Sequence, residues 1–156
     1  MMKTESKKSH ASKTETAPGL NMGKKKLDKV TLIFVPLHLG GPHRGVSMGP
    51  AAMKVAEVAE KIERLGFTVR NEVEVSVPNS VCWSEHGSAP KCVPEITEVS
   101  LRVAEAVEEA MSNESIPVTI GGDHSLAIGS IAGVSSYYRK RNENFGLVWF
   151  DAHGDI

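Results

Sequence analysis

Short runs of apolar and β-branched residues alternate with longer stretches of helical periodicity from Val30 onward, and this alternation is the strongest constraint on the fold. The runs at 30–35, 67–77, 116–120 and 145–150 predict four strands, with three helices between them. Strands that alternate with helices form parallel sheets that are covered on both faces. The sequence therefore predicts an α/β fold, a three-layer sandwich with a mostly parallel sheet.

The helices are predicted from spacing and from end signals. In the first, five apolar residues recur at intervals of four, three, four and three, as on one face of a helix; they are Ala51, Val55, Val58, Ile62 and Leu65. Pro50 suits the first turn of this helix, and Gly66 suits its C-terminal cap. The second helix is expected over 95–112 and the third over 125–138, with Ser125 or Asp123 as N-cap.

Composition divides the chain into a tail and one domain. Residues 1–29 hold eight lysines against three acidic residues and have no apolar run, so we predict a disordered tail. Residues 30–156 form the domain, and 78–94, which contains Gly, Ser and Pro without periodicity, is interpreted as an inserted surface loop.

Charge and composition exclude several classes of protein. A formal net charge of -1 gives no field that would attract nucleic acid or an anionic membrane, so neither is expected as a partner. The tail lacks the apolar core of a signal peptide and the arginines of a transit peptide, which leaves the cytoplasm as the default location. Two cysteines are too few for a disulfide framework.

Two polar motifs follow the last two predicted strands. They are Gly121-Gly122-Asp123-His124-Ser125 and Asp151-Ala152-His153-Gly154-Asp155. Because the carboxyl ends of parallel strands share one edge of the sheet, both motifs should lie at that edge. Asp151, His153 and Asp155 point the same way in extended backbone. With His124 they form a set of imidazole and carboxylate groups that suits a divalent ion such as manganese. Taken alone, the second motif could also be a polar loop that ends a strand.

The same segments carry a family resemblance. GGDHSLAIGS at Gly121–Ser130 and VWFDAHGDI at Val148–Ile156 resemble two signature segments of the ureohydrolases, and of the arginase family in particular. The loop GGPHRGVSMGP at Gly40–Pro50 is similar to the arginase segment that precedes the first long helix. The resemblance runs from Val30 to Ile156 and implies an arginase-like sheet, truncated here after about four strands.

The resemblance also implies metal ligands. In the family, two manganese ions share a bridging hydroxide, and the matching positions make His124 a ligand of the first ion and Asp151 the bridge between both. His153 would ligate the second ion, and Asp155 would complete the first. In the family, two adjacent cations lower the pKa of the shared water, so the resemblance implies that hydroxide would attack the guanidinium carbon of L-arginine and give L-ornithine and urea. No further catalytic side chain and no organic cofactor is assigned within the chain.

Members of the family continue for about as long again, with a second Asp-x-Asp cluster, a proton-transfer histidine and a substrate loop. We therefore expect these 156 residues to be the N-terminal half of such a protein. By itself this half should bind manganese weakly and have only slight catalytic activity. The resemblance also implies a role in arginine metabolism, as in the urea cycle. The complete protein is expected to be a homo-oligomer, and the resemblance implies a trimer. The alternatives are a catalytically incomplete metal-binding or partner-binding fragment and an agmatinase-like ureohydrolase.

Other residues receive a structural interpretation. Cys82, His86 and Cys92 are irregularly spaced and lack a fourth partner, so a solvent loop is preferred to a zinc site. Trp149, inside an apolar run, is expected in the core. Trp83 lies in the polar insertion and could mark an exposed contact surface.

Overall fold

The computed structural model describes residues 27–41, 43–79 and 92–152. Its strands are β1 (Lys29–Val35), β2 (Thr68–Glu74) and β3 (Ile116–Gly121), which form one parallel sheet in the order β2-β1-β3. A 3₁₀ helix precedes four α-helices; the elements are Arg44–Met48, α1 (Gly49–Val55), α2 (Val58–Arg64), α3 (Val93–Ser112) and α4 (Leu126–Lys140). The predicted tail, apart from 27–29, and most of the predicted insertion lie outside the described residues.

The central strand β1 is buried on both faces. Val30, Leu32 and Phe34 belong to a cluster that packs against α2. Ile33 and Val35 belong to a second cluster, which includes the buried valines of α3. All five side chains are at most 3% exposed. Burial of apolar side chains on both faces contributes about 1.5–3 kcal/mol each, so β1 carries much of the core. The predicted three-layer arrangement with a parallel sheet is confirmed.

The register of the sheet determines where the loops begin. Val35, at the end of β1, pairs with Gly121, at the end of β3. Because the two strands are parallel and end level with each other, the segments that follow them start side by side at the carboxyl edge of the sheet. The first of the two polar motifs is in the segment after β3.

The single helix predicted over 51–65 is in fact two helices. Glu57 lies between α1 and α2 with φ of 56°, a left-handed conformation that interrupts the helix. The apolar spacing continues across this interruption, which is why the sequence pattern does not reveal it. Gly66, with φ of 89°, comes directly after Leu65, the C-cap residue of α2, so it ends the helix as the sequence predicts.

Replacing Glu57 by Gly should increase the free energy of unfolding by about 1 kcal/mol, because glycine adopts positive φ without the steric cost of a Cβ. The Glu57–Arg64 ion pair that is lost spans 3.8 Å between exposed side chains and contributes little. Urea denaturation measures the change. The control is Glu60→Gly inside α2, which should cost about 1 kcal/mol. Destabilisation of similar size in both variants would contradict the assigned role of Glu57.

The fourth strand predicted at 145–150 is not formed, so the described residues contain three strands instead of about four. Phe145 stacks on Tyr138 with ring centroids 5.5 Å apart, and Trp149 stacks on His124 at 4.9 Å. These contacts hold the segment at the two ends of α4. A strand that is apolar on both faces must be covered by other elements on both faces. Within the described part of the chain, no helix or strand covers residues 145–150. Its large apolar side chains are 39% to 93% exposed.

Candidate metal centre

The turn after β3 places His124 at the rim of the sheet. Gly122 lies so close to the segment after β1 that a Cβ on it would be 2.0 Å from the carbonyl oxygen of Leu37. The next residue, Asp123, donates its backbone N–H to that same oxygen at 2.9 Å. Only glycine fits between these two segments, and the chain then turns into α4. The paired glycines of the first motif therefore bring His124 to the edge, as the sequence predicted.

Asp123 joins the segments on either side of this turn. Its Oδ2 accepts a hydrogen bond from the backbone N–H of Gly40 at 2.8 Å, and its Oδ1 accepts one from the N–H of Ser125 at 2.9 Å and another from the Ser125 hydroxyl. Ser125 occupies the N-cap position of α4, but its side chain makes no capping hydrogen bond. The sequence indicates Asp123 only as a possible cap and gives no sign of its link to Gly40, 83 positions away.

The structure brings together the two predicted ligands that it describes. Nδ1 of His124 lies 3.6 Å from Oδ2 of Asp151, and the two side chains are 54% and 18% exposed. Trp149 contacts both, because its ring stacks on the imidazole at an interplanar angle of 17° and its indole N–H donates to Asp151 Oδ2 at 3.3 Å. His153 and Asp155 lie outside the described residues.

Trp149 is not the core residue that the sequence predicted. It is 47% exposed and lies beside the two candidate ligands. Because the segment 145–150 does not join the sheet, the indole has no core to enter. Its ring stacks on the imidazole of His124, and its N–H donates a hydrogen bond to the carboxylate of Asp151. Both contacts suit an indole, which has an apolar face and a polar N–H at its edge.

The pair formed by His124 and Asp151 fits a small divalent ion. Bonds of about 2.0–2.2 Å from nitrogen and oxygen ligands place two donors of one ion roughly 3 to 3.5 Å apart, close to the separation of these two atoms. A mixed imidazole and carboxylate set suits manganese better than metals that prefer thiolates. Among residues 27–41, 43–79 and 92–152, no group of three His, Cys, Asp or Glu side chains is placed to hold a metal. The described part of the centre is therefore this pair.

An open cleft of about 560 Å³ adjoins the pair, between the first turns of α4 and the segment 149–152. Its lining includes the polar residues His124 and Asp151 and the apolar residues Leu126 and Ile131. A cleft of this volume is in the range of small-molecule sites. It can admit a polar small molecule to the two candidate ligands.

Comparison with known proteins identifies the family. The model of the Arginase family matches residues 28–156. The chain belongs to the arginase family. The arginase of Bacillus caldovelox is 37% identical over 128 residues, which are 81% of this chain and 42% of that protein. The arginase of Brevibacillus brevis is 36% identical over 129 residues, which are 81% of this chain and 41% of that protein.

Solved arginase structures have the same fold. The native Bacillus caldovelox arginase superposes with a TM-score of 0.70 at 35% identity, covering 82% of this chain and 42% of that one. An Entamoeba histolytica arginase in complex with L-ornithine gives a TM-score of 0.68 at 28% identity and covers 82% and 42%. The arginase-like fold predicted from the sequence is confirmed, and the chain spans about 42% of the length of these arginases.

Proposed function

We propose that this chain supplies ligands to the manganese centre of a ureohydrolase that converts L-arginine and water to L-ornithine and urea. The observation that carries the proposal is the 3.6 Å approach of His124 Nδ1 to Asp151 Oδ2 at the carboxyl edge of an arginase-family sheet. The L-ornithine bound by the Entamoeba histolytica arginase is the amino-acid product that the proposal names.

The residues that would hold the manganese are His124, Asp151, His153 and Asp155, and Asp151 would contribute to both ions. The first two are neighbours in the structure, and the other two follow Asp151 in the motif from which the set was predicted. When bound, the ion pair supplies a water of lowered pKa as the nucleophile at neutral pH. Imidazole and carboxylate are the groups that the chain itself contributes to this chemistry.

Trp149 holds the two described ligands in place in this proposal. Its ring limits the rotation of the His124 imidazole, and its N–H fixes the carboxylate of Asp151. Because the side chain of Asp151 is 18% exposed, its charge is less screened by water than that of a fully exposed carboxylate, and its attraction for a cation is stronger. Stacking and hydrogen bonding therefore arrange both donors before an ion arrives.

The substrate and the surroundings of the site are also part of the proposal. We infer a guanidino substrate, L-arginine, in a homo-oligomeric cytoplasmic protein, with the trimer of the family resemblance as the expected assembly. Among the described residues, no helix combines the length and the apolar character needed to cross a membrane. Urea release from L-arginine measured against release from agmatine, in a protein extended to the length of the relatives, tests the choice of substrate.

Titration with Mn²⁺ should quench the fluorescence of Trp149 saturably, because the indole touches both candidate ligands and Mn²⁺ is paramagnetic. The measurement uses Trp83→Phe, which leaves Trp149 as the only tryptophan of the chain. Diamagnetic Mg²⁺, added at the same concentrations, is the control for ionic strength and should quench far less. Quenching that rises linearly with Mn²⁺ and never saturates would indicate collisions alone and would count against the centre.

A further inference from the structure

Asp123 has a place in the structure that the metal ligands alone do not explain. We call the contacts of Asp123 with Leu37, Gly40 and Ser125 the Asp123 clasp. Its backbone N–H donates to Leu37, one carboxylate oxygen accepts from Gly40 and the other accepts from Ser125. The clasp therefore ties the segment after β1 to the start of α4 through one side chain.

Residues of the clasp stand directly before and after His124 in the sequence. His124 lies between Asp123 and Ser125, whose backbone N–H groups are both hydrogen-bonded within the clasp at 2.9 Å. The imidazole itself is 54% exposed, so packing alone does not fix it. The position of the His124 backbone depends on the two neighbours that the clasp holds. Hydrogen bonds accepted by a carboxylate are roughly twice as strong as those between neutral groups, which suits this role.

Close packing leaves the clasp little freedom. A Cβ on Gly40 would lie 2.8 Å from the Ser125 hydroxyl and 3.2 Å from Asp123 Oδ1, so the segment after β1 is pressed against the carboxylate. Rotation of the Asp123 side chain would break hydrogen bonds on both sides at once. The two segments can move relative to each other only if the clasp opens.

We propose that Asp123 is a positioning residue of the metal centre, holding the His124 imidazole beside Trp149 and Asp151. The proposal rests on the proposed function, in which His124 is a metal ligand. Asp123 does not itself bind the ion in this account. It acts through the two backbone groups that flank His124 and through Gly40, which secures the clasp to the segment after β1.

Two variants of Asp123 and two readouts test the proposal. Asp123→Ala removes both acceptor oxygens. Asp123→Asn keeps one acceptor oxygen and so retains part of the clasp if Asp123→Ala fails to fold. The first readout is the displacement of the His124 ring-proton resonances by the Trp149 ring current, measured by NMR without metal. The second is the dissociation constant for Mn²⁺, from the fluorescence titration in the Trp83→Phe chain.

We expect Asp123→Ala to abolish most of the ring-current displacement and to weaken Mn²⁺ binding about tenfold or more, with Asp123→Asn intermediate. The control is Glu60→Gly, which lowers stability away from the rim and should leave both readouts unchanged.

The possible failures can be distinguished. If the parent chain shows no saturable Mn²⁺ binding, the proposed function fails, and the ligand-positioning role fails with it. If the parent binds Mn²⁺ and both Asp123 variants keep its affinity and its His124 resonances, only the positioning role is overturned. If Glu60→Gly shifts both readouts as much as the Asp123 variants do, general destabilisation explains the effect and the positioning role is again overturned.

Discussion

Asp151→Asn should weaken Mn²⁺ binding by about 100-fold, the largest effect on affinity that we expect from any single change. The amide keeps the shape of the side chain but removes a negative charge next to His124. His124→Asn should cost less, because the proposal assigns His124 to one ion and Asp151 to both. Free Mn²⁺ counted by electron paramagnetic resonance measures the loss.

The matched control for this experiment is Asp28→Asn. It removes the same charge from an exposed residue outside the sheet rim, where the described contact to Thr68 uses a backbone oxygen and not the carboxylate. It should leave Mn²⁺ affinity unchanged. An Asp151→Asn chain that binds as tightly as its parent would remove Asp151 from the centre, and near-normal urea release in an extended protein would remove it from the reaction.

Gly122→Ala should lower the free energy of unfolding by about 3 kcal/mol or more, the largest loss of stability that we expect. The added methyl would lie 2.0 Å from the carbonyl oxygen of Leu37 and 3.0 Å from that of Val46, and both contacts are with backbone that cannot rotate away. Chemical denaturation measures the loss. Gly146→Ala adds the same methyl where no atom lies within 4 Å and should be nearly neutral. A Gly122→Ala chain with parental stability would show that the turn after β3 can open freely.

Helices and strands whose buried residues recur at regular spacing were predictable from the sequence. The strand β1 is apolar at nearly every position because helices cover both of its faces, and α3 shows its buried face at helical spacing, with Val99, Val103 and Val107 at most 1% exposed. The boundaries differ by a few residues, as frayed ends do. These elements follow from local pattern and from the rule that apolar faces must be covered.

Features that depend on single contacts were not predictable. The interruption at Glu57 leaves the apolar spacing intact, so periodicity alone indicates one helix. The run at 145–150 has the composition of a strand. Composition does not say whether such a run pairs with a sheet edge or packs against aromatic side chains. In the structure the aromatic residues of this segment stack on Tyr138 and His124, and neither contact is visible in the sequence.

The candidate site divides in the same way. His124 and Asp151 were found from residue type and from their place after two apolar runs, and the structure places them together. The prediction that Trp149 lies in the core is wrong, because its surroundings depend on a segment that does not form a strand. The positioning role proposed for Asp123 depends on its hydrogen bond with Gly40, which is far away in the sequence. A sequence motif does not show a contact between two separate loops.

The order of strands across the sheet also has a consequence for how the chain acquires its structure during synthesis. The central strand β1 is made before its two partners, which begin at Thr68 and Ile116. On the ribosome one edge of β1 can pair as soon as β2 has been translated, but the other edge stays unpaired until β3 has been translated. Long-range parallel pairing of this kind is slow and leaves apolar surface open in the meantime. We therefore expect nascent chains to be most prone to aggregation before β3 emerges.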